Sequence, residues 1–152
     1  MNALKIKNVF SDYLKSYIKA YNKSTTYDIK VGVENETVYY TDGHIMAIVP
    51  ELISPFKVNE RCTWSKMIPD VKYIDSNVVI SGDTTNVGGT ECYIVKDLFD
   101  NRVCVVNRKM LDNWFNIKEC TLYMEKLDGK SPVYFIEYGR IIGLILPIYV
   151  RG

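Results

Sequence analysis

His44 is the only histidine in the chain, and histidine is the one side chain whose ordinary pKa lies near neutrality, so acid–base chemistry falls first to it. Asp42 stands two residues earlier. In an extended strand that spacing puts the pair on one face, but no serine or cysteine partner follows from spacing, so no nucleophilic triad can be assembled on paper. A structural histidine beside a turn is the simpler reading. The four cysteines, Cys62, Cys92, Cys104 and Cys120, are widely spaced without a CxxC, and with a single histidine they lack zinc-ligand spacing. Core thiols in a reducing compartment fit them better. Residues 86–90, Asn-Val-Gly-Gly-Thr, have neither the Lys and hydroxyl of a P-loop nor a GxGxxG. Asp70, Asp75, Asp83, Asp97 and Asp100 show no EF-hand spacing, and Glu34 with Glu36 reads as a solvated turn. The expectation is a protein that is not an enzyme, with no catalytic residue, no metal and no cofactor. A small enzyme whose site the fold assembles around His44 is the alternative.

The basic residues offer a different chemistry. Lys15, Lys19 and Lys23 recur at i, i+4 and i+8, and Arg108 with Lys109 opens a second helical stretch. Such side chains either keep a helical face soluble or touch phosphates. The whole-molecule field does not decide between these, because 19 basic and 18 acidic residues leave a net charge of only +1. Asp12 and Asp112 dilute the two basic stretches further.

The elements that must carry these residues follow from periodicity. Leu4, Ile6, Val9, Phe10, Tyr13, Leu14, Tyr17, Ile18 and Tyr21 recur near every 3.6 residues and predict an amphipathic helix over the first 23 residues. Residues 27–33 alternate as a strand, Asn35 and Glu36 make a turn, and 38–48 read as a hairpin with Asp42 and Gly43 as a type I′ turn. Pro50, Pro55 and Pro69 exclude a long element between 50 and 72, leaving room for a helical turn at 65–68. Further strands are expected from Tyr73 or Val78 to Ser81 and near 92–95, 103–106, 121–127, 133–138 and 141–149, with residues 82–86 as a turn. Asn107 is a plausible N-cap for a helix over 108–116 that buries Met110, Leu111, Trp114 and Phe115. The ensemble is α+β, with two helices on one face of an antiparallel sheet. A chain of 152 residues without repeats or linker fits one domain, residues 1–152.

Two segments carry a family resemblance. Thr41, Asp42, Gly43, His44 and the apolar residues after them are similar to the "ATDGHRLA" segment of the bacterial DNA polymerase sliding clamp, the β clamp. The order strand, capped helix and three strands from Val103 onward, closing on Leu144, Ile145, Leu146, Pro147, Ile148, Tyr149, Val150 and Arg151, resembles that clamp's last half-domain with its apolar-Pro-apolar tail. The resemblance covers residues 1–49 and 103–151 and is weak between them. It implies a non-enzymatic clamp-like protein of DNA replication or repair. Its partner pocket, which takes short apolar peptides, would be lined by Thr41, Gly43, His44, Ile45 and Met46 and by Leu146, Pro147, Ile148 and Tyr149. Ile45 departs from the family's Arg. In that family the two halves of the pocket come from adjacent domains, and six domains close the ring, so a homo-oligomer is one way to build both from this chain. The resemblance also implies that Lys15, Lys19, Lys23, Arg108 and Lys109 face duplex DNA. A bias toward Lys, Asn, Ile and Tyr suits an AT-rich genome such as a phage's, and a phage module that occupies a host factor is the alternative partner protein. No secretory h-region and no long apolar run is visible, so a cytoplasmic protein without membrane contact is expected.

These charges lead to a measurable expectation for DNA. Phosphate contacts alone give non-specific dissociation constants of about 10⁻⁴–10⁻⁶ M, weakening steeply with salt. That range holds at physiological salt, so titration of duplex DNA at low salt should detect binding at least as tight, indifferent to sequence and abolished by Lys15→Glu with Lys19→Glu. Binding that ignores those two charges would remove the phosphate-facing role.

Overall fold

The chain folds around tight turns whose residues sit at positive φ. The structure, a computed structural model, describes residues 9–11, 30–51 and 60–149. In three places two residues join adjacent strands with both φ angles positive, as a type I′ turn requires: Asn35 (51°) with Glu36 (62°), Gly88 (58°) with Gly89 (88°), and Tyr138 (52°) with Gly139 (72°). They connect β1 (Lys30–Glu34) to β2 (Thr37–Thr41), β4 (Ser76–Val87) to β5 (Thr90–Asp97), and β8 (Val133–Glu137) to β9 (Arg140–Ile145). The remaining strands are β3 (Ile45–Pro50), β6 (Arg102–Asn107) and β7 (Leu122–Met124), and one α-helix, α1 (Arg108–Trp114), lies among the described residues. Asn107 caps it as expected, its side-chain oxygen accepting from the Met110 N–H at 3.0 Å.

The nine strands among the described residues pair antiparallel in one sheet of order β1-β2-β3-β9-β8-β7-β4-β5-β6. Strands therefore dominate the described residues. The pairing that ties the first three strands to the later ones joins β3 to β9, with Ile45 facing Ile145, Met46 facing Leu144 and Ala47 facing Gly143. No helix among the described residues is long and apolar enough to cross a membrane.

The sheet cannot be flat. The helix α1 packs against β3, β5 and β6. Seven helical residues span about 10 Å, whereas β3 and β6 lie six places apart in the order, about 29 Å in a flat sheet. Only a sheet that curls round the helix brings both within reach. The chain leaving β9 completes the curl: the Leu146 N–H donates to the His44 carbonyl at 2.8 Å, and the Ile148 N–H donates to the Val105 carbonyl of β6 at 2.9 Å. The main core fills the hollow, with Tyr40, Ile45, Val95, Leu111, Phe115, Phe135 and Ile142 all essentially without solvent exposure.

Phe115 is the hub of that core. It stacks at a tilt on Phe135, ring centroids 4.3 Å apart, and on Phe10 at 5.7 Å. Its ring lies on β9 at Gly143, where a Cβ would collide with the ring and meet the Met46 carbonyl oxygen at 2.7 Å. Glycine is needed there for close approach. Gly143 faces Phe115 by alternation with the core residue Ile145, and a bulge turns the next residue inward as well: Phe135 pairs with Gly143 but Ile136 pairs with Ile141, leaving Ile142 as the extra residue.

Three expectations change. Asp42 and Gly43 do not form a type I′ turn, since only Gly43 has positive φ; Thr41 pairs with Met46, so four residues make the loop. The Asp42 side chain accepts from the backbone N–H groups of His44 and Ile45, which a two-residue turn would forbid. Residues 82–86 are not a turn but part of β4, whose register with β5 slips between Ile80 and Thr84 to leave a bulge around Gly82, and the turn falls at Gly88 and Gly89. Helical periodicity does not run through Phe10, which forms an antiparallel bridge to Phe115. There Ser11 N–H donates to the Trp114 carbonyl at 3.1 Å, the Ser11 hydroxyl donates to the Asn113 carbonyl, and Asn116 N–H donates to the Val9 carbonyl at 2.7 Å. The rest of the N-terminal helix expected over residues 1–23, and its placement beside α1, lie outside the described residues.

The Phe115–Gly143 contact sets a stability test. Gly143→Ala should destabilise the fold by about 1–3 kcal/mol through overpacking, and Phe115→Ala by about 3–5 kcal/mol. In urea unfolding the double variant should lose less than the two together, because the ring that the new methyl strikes is gone. A neutral Gly143→Ala, or full additivity, contradicts the packing argument.

Candidate functional site

On the outer face of the sheet, opposite the main core, a second apolar cluster forms from Tyr39, Met46 and Ile48 with Trp64, Ile68, Ile141 and Leu144 against it. It opens into a groove of about 430 Å³ lined by Thr41, Asp42, Gly43, His44, Ile45 and Met46 on one side and Leu144 and Leu146 on the other. That volume lies in the range of small-ligand and peptide-anchor pockets. Pro132 and Tyr134 extend the floor, and Trp64, Met67 and Ile68 form the far wall.

Each boundary has a local cause. The loop at 41–46 is held by its own side chains: the Thr41 hydroxyl donates to the Ile45 carbonyl at 2.8 Å and accepts from Gly43 N–H at 3.0 Å, while Asp42 Oδ1 accepts from His44 N–H at 2.8 Å and Ile45 N–H at 3.0 Å. The tail is tied to it by the bond from Leu146 to His44. The wall is a short 3₁₀ turn, Trp64–Met67, pinned to β1 by Glu34. Its two carboxylate oxygens accept from the Ser65 hydroxyl at 2.6 Å and the Ser65 N–H at 3.1 Å. Those bonds, the hydroxyl's first, hold the Glu34 carboxyl below its ordinary pKa. Gly32 permits the approach, since a Cβ there would meet Cys62 Cβ at 2.6 Å. The Trp64 indole then sets its edge on Tyr39, ring centroids 6.4 Å apart at 82°. Burial raises the Tyr39 and Tyr134 phenols above their ordinary pKa, so both stay neutral.

Of the residues named for a partner pocket, Thr41, Gly43, His44, Ile45, Met46 and Leu146 line the groove, although residues 45 and 145 are a hundred positions apart. Pro147, Ile148 and Tyr149 do not line it. The tail turns from β3 toward β6 through Ile148, and the Tyr149 ring lies under the Lys130 ammonium, 4.7 Å from its centroid. Sequence reasoning missed Trp64, Met67, Ile68, Pro132, Tyr134 and Leu144. The only trace of the wall was the helical turn expected at 65–68; nothing local says which strand it covers.

The basic residues divide. Arg108 is committed within the fold: its Nη1 donates to Glu91, its Nε lies 3.7 Å from Asp112 Oδ2, and its guanidinium sits over the Tyr93 ring at 5.3 Å. Two carboxylates thus offset part of the charge it would present to a phosphate. Lys109 is exposed. Lys15, Lys19 and Lys23 lie outside the described residues. His44 is exposed, and among the described residues its imidazole has no hydrogen-bond partner. No three His, Cys, Asp or Glu side chains gather as a metal-ligand set among the described residues. Burial raises the Cys104 thiol to about 12 and the Cys120 thiol to about 12, leaving neither a thiolate at neutral pH.

Compared with protein-family models, curated proteins and solved structures, the chain matches none.

The wall has a pH dependence with a defined sign. A carboxyl whose folded pKa is lowered stabilises above its unfolded value and loses that contribution as pH falls through the folded value. Docking of the Trp64 turn should therefore be intact at neutral pH and weaken as pH drops below 4.5, the ordinary glutamate value. The Trp64 indole N–H resonance should titrate in that window, and the titration should vanish in Glu34→Gln. An unchanged titration in the variant would assign it to another group.

Proposed function

We propose that this chain is a non-enzymatic, clamp-like α+β binding protein of cytoplasmic DNA replication or repair, whose groove receives a short apolar segment of a partner protein. The observation that carries this reading is the β3–β9 pairing, which sets Thr41–Met46 beside Leu144 and Leu146 in one cleft. These are the two segments in which the chain resembles the sliding clamp. In that family they come from neighbouring domains; here one sheet supplies both, so a single copy holds the groove without a ring. The order β6, α1, β7, β8, β9 supports the same reading, being the strand, capped helix and three strands of the resemblance.

The chemistry of the groove suits a peptide better than a reaction. Its walls are Met, Leu, Ile and Trp side chains, with Lys30, Asp42, His44 and a hydroxyl at the lip, and anchors bind such walls by burial. Asp42, the acid beside His44 at the lip, commits its Oδ1 to the backbone N–H groups of His44 and Ile45, and no triad forms with the imidazole among the described residues. Duplex DNA is the secondary partner in this proposal, contacted by Lys109 and the lysines at 15, 19 and 23 through phosphates alone.

A panel of extended peptides bearing adjacent large apolar anchors, read by fluorescence anisotropy, tests the assignment. Binding is expected near micromolar strength, about −8 kcal/mol. Met67 and Leu146 are 66% and 39% exposed, so Met67→Glu and Leu146→Glu should leave the fold intact while weakening binding at least tenfold. Binding indifferent to both substitutions, or no binding by any peptide, would reject the groove as a receptor.

A further inference from the structure

Leu98 and Phe99 project from the turn between β5 and β6 with 65% and 86% of their surface exposed. The turn that carries them is tightly bonded. Asp97 Oδ1 accepts from Phe99 N–H and Asn101 N–H, each at 2.9 Å, its Oδ2 accepts from the Asn101 amide at 3.1 Å, and Asp97 N–H donates to the Asn101 carbonyl at 2.9 Å. Lys96 braces the base through Asp83 at 2.8 Å and Asp100 at 3.2 Å. Two adjacent large apolar side chains on a bonded tip form an anchor whose backbone has little entropy left to lose on docking.

The strand register says where that tip lies relative to the groove. Ile145 faces Val133, Val133 faces Met124, Met124 faces Ser76, and Val78 faces Asp97. The groove mouth at Pro132 and Leu146 and the tip at Leu98 and Phe99 are therefore at the same end of the sheet. A protein that carries an anchor and a receptor at one end can satisfy both at once by pairing with itself about a two-fold axis.

We propose that two copies of this chain form a symmetric dimer in which each inserts Leu98 and Phe99 into the other's groove, an inference that rests on the groove being a receptor for short apolar segments. Area favours the reciprocal form. One Phe and one Leu bury about 300 Å² and cover a comparable area of groove, so a single insertion buries about 600 Å², the size of a packing contact. Two insertions reach about 1,200 Å², the lower bound for a specific interface. A head-to-tail chain with one insertion per junction stays below it. The charges are compatible: Lys30 and His44 stand with Asp42 at the groove, and Asp97 and Asp100 flank the tip beside Lys96.

Sedimentation equilibrium of the full chain from about 1 µM to 1 mM covers the range in which an interface of threshold size dissociates. The unmodified chain should pass from monomer to dimer and no further. Phe99→Asp and Leu146→Glu alter exposed side chains, and each should weaken association at least tenfold with an unchanged circular dichroism spectrum. An equimolar mixture of the two variants retains one good tip and one good groove, and should associate more strongly than either alone. A monomer throughout, a dimer unaffected by Phe99→Asp, or a dimer lost with Phe99→Asp but not with Leu146→Glu would each overturn the proposal. Peptide binding to the Phe99→Asp variant separates the two readings: a monomeric protein that still binds peptides keeps its receptor and loses only the dimer.

Discussion

The rest of the fold depends on the contact of one aromatic ring with a bare strand. Phe115 ends α1, touches Phe10 and Phe135, and lies on β9 where residue 143 has no side chain. That position fixes the depth of the helix in the sheet, and with it the curl that lets β3 and β6 share one core. The bulge at Ile142 is part of the same constraint, because without it Ile142 would point to the outer face and the core would lose a fully buried side chain. Dispersion and close packing, not polar bonding, therefore set the geometry of the centre.

Polar bonding instead sets the outer face. Asp42, Thr41, Glu34 and Asp97 each use a side chain to hold backbone N–H groups or a hydroxyl in a loop. These bonds lie at or near the surface and shape what the molecule presents: the groove lip, the groove wall and the apolar tip. Arg108 shows the opposite use of charge. Paired with Glu91 and Asp112 and laid over Tyr93, it ties β5 to α1.

What could be read from the sequence was local. The Asn107 cap, the helix after it, the turn at Asn35 and Glu36 and most strands follow from patterns a few residues long. Asp42 and Gly43 misled because an Asp side chain that captures two N–H groups stabilises a longer loop than the pair suggests. Residues 82–86 misled because turn-forming residues also build bulges inside a long strand. The groove was half legible: the Thr41–Met46 and Leu146 sides come from motif likeness, whereas the Trp64 wall depends on a missing Cβ at Gly32, thirty residues away. No periodicity reports such a contact, and the same is true of the β3–β9 pairing that joins distant halves of the chain.

That pairing also has a consequence for how the protein is made. β9 is late in the chain yet sits in the interior of the sheet, between β3 and β8. During synthesis β1, β2 and β3 leave the ribosome about a hundred residues before the strand that covers the edge of β3. At about 5–20 residues per second the delay is roughly 5–20 s, during which an apolar edge, Ile45 to Val49, stands open to other nascent chains. The groove cannot exist in that interval, because one of its sides has not yet been translated. The groove therefore forms at once with β9, and a chain interrupted before that strand exposes an apolar edge rather than a partly formed groove.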